Sequence, residues 1–302
     1  MPQRQAHDSI ARDPRDGRRI EGPLGIIAGG GLLPCLIADS AAARGLDLHI
    51  VGIRGEASEE IERFPHTWIK WGEIGKLFTA LDGRGCRDLV IIGGVTRPDP
   101  ANIRLDLGAI RNLPFLVSLG IGGDDDVLSR VVRFFESKGY RVHGAGDVAP
   151  ELLAGEGALG DKAPSAEDRA DIATGFRVVS MLGRLDVGQA AVVAKNYVLA
   201  VEAAEGTDAM LARCAGLREI GRIKQRARSG VLVKAPKPGQ EERVDLPTIG
   251  PETVRNAAAA GLAGIAVAAG RVLMAEHAAT IAAANRHGLF LVGERLTDEG
   301  GA

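Results

Sequence analysis

Aromatic side chains are scarce, with Phe, Trp and Tyr making up 4% of the 302 residues. A chain so poor in rings lacks a platform on which single-stranded bases would stack. A surplus of positive charge is also missing. The formal net charge is -2, so duplex nucleic acid is not an expected partner. There are only three cysteines, Cys35, Cys86 and Cys214, far apart and without C-x-x-C spacing. That argues against a disulfide framework and fits buried thiols in a reducing cytosol. The six histidines (His7, His49, His66, His143, His277 and His287) contain no i, i+4 pair and no H-x-E, which argues against zinc. No run reaches the roughly 18 apolar residues that span a bilayer. Residues 1–20 are polar, rich in Arg and Asp, and lack an apolar centre. They are not a secretory signal and are expected to form a disordered leader.

What is present is the composition of a globular chain, with 45% hydrophobic and 25% charged residues. The length predicts two domains. Apolar runs at Leu24–Ala28, Leu48–Ile53 and Asp88–Ile92 read as strands. Helical patterns lie between them, near 33–44 and 73–81, and a further helix is expected over 127–137. Strand–helix–strand alternation predicts a parallel sheet with crossover helices, a Rossmann-like N-terminal domain over 21–155. The Gly-, Ala- and Pro-rich stretch 144–164 predicts a boundary, followed by a C-terminal α/β catalytic domain over 156–302. Here a long helix runs to about Leu182, two strands meet in a tight turn at Asn196, and a helix covers 207–217. A strand at 230–234 and a polar loop come next, then a helix over 252–260 and a strand at 264–268. A helix over 272–287 and a last strand at 289–292 complete the expectation.

Five segments carry candidate chemistry. Gly25-Ile-Ile-Ala-Gly-Gly-Gly-Leu-Leu-Pro34 puts Gly29, Gly30 and Gly31 between a strand and a helix, where backbone N–H groups can approach a phosphate. Pro34 occupies the third fingerprint position of a dinucleotide site, which counts against NAD. Gly120-Ile-Gly-Gly-Asp-Asp-Asp126 reads either as a metal-holding run or as a helix start capped by Asp124 or Asp125. The loop after strand 230–234 sets Lys234, Lys237 and Arg243 beside Asp245 and Thr248. Cations balance phosphate charge, and a carboxylate can hold Mg²⁺ against phosphate oxygens; a solvated charged loop is the alternative. Glu202, Glu205, Thr207 and Asp208 form a second acidic cluster after a strand, readable as a metal–phosphate site or as a helix cap. Asp186-Val-Gly-Gln189 is a third polar cluster, weaker by itself.

Three of these segments together resemble a known family. Gly183-Arg-Leu-Asp-Val-Gly-Gln189, Leu199-Ala-Val-Glu-Ala-Ala-Glu-Gly-Thr-Asp208 and Asp245-Leu-Pro-Thr-Ile-Gly250 are similar to the LpxI family of UDP-2,3-diacylglucosamine pyrophosphatases, and the N-terminal glycine turn also looks like that family. The resemblance spans about residues 23–293; Lys195-Asn196-Tyr197 departs from it where a glycine would be expected. It implies a Mg²⁺-dependent hydrolase of lipid A synthesis. Such an enzyme splits UDP-2,3-diacylglucosamine into UMP and 2,3-diacylglucosamine 1-phosphate, holding the lipid between two domains. It would work in the cytoplasm, peripherally on the inner face of the cytoplasmic membrane of a Gram-negative cell. The catalytic, metal-associated aspartate of the motif falls on Asp245. The residues assigned to the metal are then Asp245, Glu202, Glu205 and Asp208. Those assigned to the substrate are Gly29, Gly30, Gly31, Gln189, Thr207, Lys234, Lys237 and Thr248. Homo-oligomerisation stays open. A non-catalytic nucleotide-sugar or lipid-binding protein and a Rossmann oxidoreductase are the competing readings.

Overall fold

The computed structural model describes residues 20, 22–96, 103–119, 123–221, 223 and 228–296. The expected leader lies outside these residues except for Ile20, which packs against the N-terminal core. The first sheet contains β1 (Leu24–Ala28), β2 (Leu48–Ile53), β3 (His66–Ile69), β4 (Asp88–Ile92) and β5 (Arg141–His143) in the order β3-β2-β1-β4-β5. All its pairings are parallel. β1 and β2 are buried along their whole length, as strands covered on both faces must be, which explains their largely apolar sequence, with His49 of β2 bonded to Thr67. One face is covered by α1 (Leu33–Ala43) and α6 (Ala145–Val148), whose Ile37, Ala38, Ala41 and Val148 join the strands in one apolar cluster. The other is covered by α2 (Ile74–Gly83) and α5 (Asp124–Ser137) through Leu77, Leu81, Val132 and Phe135. The short helices α3 (Leu107–Arg111) and α4 (Leu113–Ser118) pack outside α2 and α5.

The second sheet runs β6 (Gly157–Ala158), β13 (Phe290–Glu294), β11 (Gly264–Ala268), β9 (Val231–Lys234), β7 (Ala190–Ala194), β8 (Tyr197–Val201). β9, β11 and β13 are parallel; β7 and β8 form an antiparallel hairpin on their flank. Lys195 and Asn196 turn that hairpin with φ of 53° and 58°. Two consecutive positive φ values match a type I′ turn, and Asp171 of α7 (Ala166–Gly183) holds both amides with its carboxylate, at 3.0 and 2.6 Å. This is why the turn works without the glycine expected there. α8 (Gly206–Glu219), α9 (Pro251–Ala259) and α10 (His277–His287) complete the domain. A two-stranded ribbon, β10 (Thr248–Ile249) with β12 (Leu273–Met274), joins the two halves. Leu273 and Leu246 pack into the N-terminal apolar cluster, and Leu273 bridges Leu153.

Two expectations need correction. The helix expected over 272–287 starts only at His277, because Leu273–Met274 pairs with β10 and Glu276 takes a left-handed φ of 47° that breaks any helix through it. Residues 127–137 are helical, but α5 begins at Asp124 with Gly123 at the cap position. Asp125 therefore lies in the first turn, where its charge offsets the positive end of the helix dipole, and neither Asp124 nor Asp125 is the cap.

Candidate active site

The carboxyl ends of the parallel strands in both sheets face one cavity of about 190 Å³. Its N-terminal wall is Leu33, Ile92, Gly93, Gly94 and Ala145; its C-terminal wall is the segment Glu242–Leu246, with Thr248 and Leu273. This is where open α/β sheets hold ligands, outside the strand carboxyl ends and at the point where strand order reverses, here between β1 and β4.

The glycines at that reversal are spent differently from the expectation. Gly29 donates its amide to the Ile92 carbonyl at 2.9 Å, and Gly30 and Gly94 exchange a pair of backbone bonds at 2.6 and 3.1 Å. A Cβ on Gly29 would lie 2.6 Å from the carbonyl oxygens of both Gly93 and Gly94. Two turns thus clamp backbone to backbone, and the Gly29 and Gly30 amides are already committed. Gly31 stands outside the clamp, at φ +86° with open space around it. It precedes α1, whose first turn has no side-chain cap and no acidic residue. The positive end of this helix, with Leu33 on the cavity wall, is the part of the glycine turn still available to an anion.

Across the cavity, the polar loop that follows β9 is organised by one buried amide. Gln240 accepts from the Lys237 N–H at 2.7 Å and donates to the Asp245 carbonyl at 2.9 Å and to the Asp245 carboxylate. Burial pushes the Asp245 carboxyl above the ordinary carboxylate range. The charge of Lys237, the Gln240 bond and Lys234 pull it back only in part, and Asp125 adds to the rise. Lys237 also binds Asp186 at 2.5 Å. Its burial favours the neutral form, but the Asp186 bond and the fields of Asp186, Asp245 and Asp125 outweigh this, and the ammonium is held above its usual value. Asp125 comes from the first turn of α5, and its Oδ1 accepts the Glu241 N–H at 2.9 Å. Arg243 grips Glu241 through two bonds of 2.8 and 2.7 Å and reaches Glu136 of α5 at 2.7 Å. The loop is therefore fastened to the other domain at two points just before Asp245.

A second network lies behind the loop. Lys234, buried at the end of β9, donates to Thr207 Oγ1 at 2.8 Å and to the Thr248 carbonyl at 3.0 Å. Thr207 in turn donates to Glu202 at 2.7 Å, and Glu202 accepts the Gln189 N–H at 3.2 Å. Burial lowers the Lys234 ammonium, while Glu202, Asp208 and Asp245 partly hold it up. Gln189, Glu202, Thr207, Lys234 and Thr248 are thus brought into one hydrogen-bonded chain at a single sheet edge. The side-chain oxygen of Gln189 is buried and lacks a partner among the described residues.

The four carboxylates assigned to the metal are not gathered together. Among the described residues, no group of three or more His, Cys, Asp and Glu is arranged to hold a metal ion. Glu205 is exposed and paired with Arg213 at 2.7 Å; its own backbone amide, followed by Arg213, draws its carboxyl down. Asp208 is exposed and accepts from Asn256 at 2.9 Å. Glu202 is buried within the Lys234 network. What remains is Asp245, with Asp125 and Asp186 close enough to influence Lys237. Gln240 had no signal as a single residue. Asp186 lies in a quoted motif, and Asp125 in the acidic run, but their meeting at the loop depends on the two domains facing each other.

Comparisons with known proteins show the family. The family model for the LpxI N-terminal domain matches residues 23–152, and that for the LpxI C-terminal domain matches residues 155–292. A curated relative from Caulobacter vibrioides (strain ATCC 19089 / CIP 103742 / CB 15), named UDP-2,3-diacylglucosamine pyrophosphatase LpxI, is 46% identical over 270 residues, covering 89% of this chain and 96% of the relative. With both domain models matched in order and a relative 46% identical over most of its length, this chain belongs to the LpxI family.

Proposed function

We infer that this chain is a hydrolase that cleaves the pyrophosphate of UDP-2,3-diacylglucosamine in lipid A synthesis, giving UMP and 2,3-diacylglucosamine 1-phosphate. The observation that carries the reading is the Asp245 loop, held by Gln240 and facing the α1 end of the other domain across a cavity, in a chain of this family. Pyrophosphate hydrolysis asks little covalent chemistry of a protein; it needs charge balanced and a water aligned. Lys237 and the uncapped end of α1 supply positive potential towards phosphate oxygens. Lys234 is too deeply engaged to turn outward, so its part is to hold Thr207 and Thr248 in place at the sheet edge. Asp245, kept partly desolvated, presents a carboxylate whose charge is costly until a proton or cation meets it.

That donor chemistry suits Mg²⁺ held by one carboxylate and the substrate's own phosphate oxygens, since Mg²⁺ commonly takes one or two protein carboxylates in nucleotide sites. Asp245 would hold it, and when bound it would offset the charge that develops on the leaving oxygen. The cavity of about 190 Å³ is smaller than the 300–1,000 Å³ typical of small-molecule sites, so the fit is to the diphosphate and not to the whole lipid. The acyl chains then have to leave along the interdomain opening, towards a membrane.

No helix among the described residues is long and apolar enough to cross a membrane. We place the enzyme peripherally on the cytoplasmic face of the inner membrane, where its lipid substrate would lie. Incubating the purified chain with UDP-2,3-diacylglucosamine and Mg²⁺ tests the activity. Release of UMP that EDTA abolishes is the expected result. Binding without UMP release would leave a nucleotide-sugar binder instead.

A further inference from the structure

Exposed large apolar side chains are not spread evenly over the molecule. Leu105, Leu107, Ile110, Leu113 and Val117 all stand out from residues 103–119, with Leu107 74%, Ile110 54% and Val117 61% exposed. The strip is rigidly mounted. Asp106 caps α3 at the Ala109 N–H (2.7 Å) and also takes the Gly75 and Lys76 amides of α2 (2.8 and 3.2 Å). Phe115 of α4 stacks on Phe134 of α5 with ring centres 3.8 Å apart. With this ring turned in and partly buried, Leu113 and Val117 are left exposed. A concentration of apolar surface on such anchored helices marks an interaction site.

Charge beside the strip indicates the occupant. Arg104 and Arg111 are exposed and have no acidic partner among the described residues. A broad basin of about 650 Å³ lies against α3, with Arg87, Arg111 and Lys138 in its lining. Its two acids are already engaged: Asp82 by Arg87 and Tyr140 at 2.8 Å each, and Asp106 by the three amides. With Arg87 spent on Asp82, Arg111 and Lys138 are the cations the basin offers to a ligand, next to apolar side chains that have no cover among the described residues. α2 follows β3, so its first turn, on which Asp106 sits, lies at the carboxyl edge of the sheet that also carries the glycine clamp. The strip thus starts at the same edge as the interdomain cavity.

We propose that α3 and α4 are the membrane-docking surface, with Leu107, Ile110 and Val117 entering the headgroup region of an anionic phospholipid leaflet and Arg111 and the basin meeting its phosphates. Apolar insertion together with cation–phosphate attraction is the ordinary means by which a protein binds a bilayer without spanning it. This rests on the lipid-pyrophosphatase reading, from which the membrane source of the substrate follows.

The test uses the full chain, Leu107→Glu/Ile110→Glu, Val117→Glu and Arg111→Glu. Each is floated with vesicles of phosphatidylcholine alone or with phosphatidylglycerol added. Melting temperature and elution volume are measured for each, with UMP release from substrate in detergent micelles and in vesicles. Wild type is expected to float with the anionic vesicles. The apolar variants should lose that binding about tenfold or more, and Arg111→Glu should lose the preference for anionic lipid. Folded variants should keep micellar turnover and lose it on vesicles. Variants that float like wild type, or a wild type that never floats, overturn the surface. So does a strip substitution that changes the elution volume without lipid, which would give the face to a second copy of the chain. Strip-dependent flotation supports the surface whether or not UMP is formed; absence of UMP in micelles counts against the activity alone.

Discussion

Two turns meet across the interdomain cavity and are built in opposite ways. The N-terminal wall is a clamp of glycines, Gly29 and Gly30 against Gly93 and Gly94, made from backbone hydrogen bonds with no room for a Cβ at Gly29 or Gly93. The C-terminal wall is a loop of long polar side chains, with Lys237, Gln240 and Asp245 bonded across it and Arg243 fastened to α5. The first gives shape, the second chemistry. A glycine turn at a strand end signals close backbone approach, and here the approaching partner at Gly29 and Gly30 is another turn of the same protein.

The sharpest way to break this comparison is to remove the carboxylate from the chemical wall. Asp245→Ala is expected to lower turnover by about 1,000-fold or more with little change in melting temperature, since a loop carboxylate that acts in the transition state contributes more to rate than to fold. UMP release and melting curves on one preparation decide it; a folded variant with wild-type turnover would remove Asp245 from the mechanism. The converse holds for the shaping wall. Gly29→Ala forces a methyl against two carbonyl oxygens and should cost on the order of 1–3 kcal/mol of stability, read by urea denaturation. A Gly29→Ala protein that is fully stable but inactive would move Gly29 to the chemical side.

Gln240→Ala sharpens the contrast within the loop. It removes a hydrogen bond that favours the ionised form of Asp245. The carboxyl should rise further, and the acid limb of the pH–rate profile should move to higher pH, with turnover down about tenfold where wild type is most active. An unshifted limb would limit Gln240 to holding the loop together.

Asp245 is raised in the folded chain, so its neutral form favours folding. That stability is fully present below the unfolded carboxyl value, near pH 4, and is lost as pH rises through the folded one. In EDTA, Asp245→Asn should therefore melt a few degrees above wild type at neutral pH while losing turnover, with the gap closing in acid. A lower melting point at neutral pH would show that the pull of Lys237 outweighs burial. Smallest of all, Glu205→Ala should change turnover less than about twofold, because Glu205 is taken up in an exposed ion pair with Arg213. A large loss would return Glu205 to the site.

The long apolar runs were legible. β1, β2, β4 and β11 begin and end where the sequence indicates, because strands buried on both faces carry mainly hydrophobic stretches bounded by Gly or polar residues. The short pieces were not. β10 and β12 have two residues each, and their pairing joins segments about 25 positions apart, which no local pattern reports. The segment 103–119 gave no periodic signal, since α3 and α4 are one-turn helices fixed by a cap to α2 and a ring stacked on α5. Of the site, the C-terminal residues were read as three separate clusters; their order in space was not.

By itself the sequence determined two α/β units, the strands that form their cores, and the motif set that marks the family, because these depend on hydrophobic period and on residues close together in the chain. Only the tertiary structure decided which of those residues meet. It turned Gly29 and Gly30 inward to the clamp, left Glu205 and Asp208 at the surface, and brought Asp125 and Glu136 from one domain to the Asp245 loop of the other. The last of these depends on contacts more than 100 residues apart in the chain, between backbone groups and charges whose partners are fixed only when the sheets face each other.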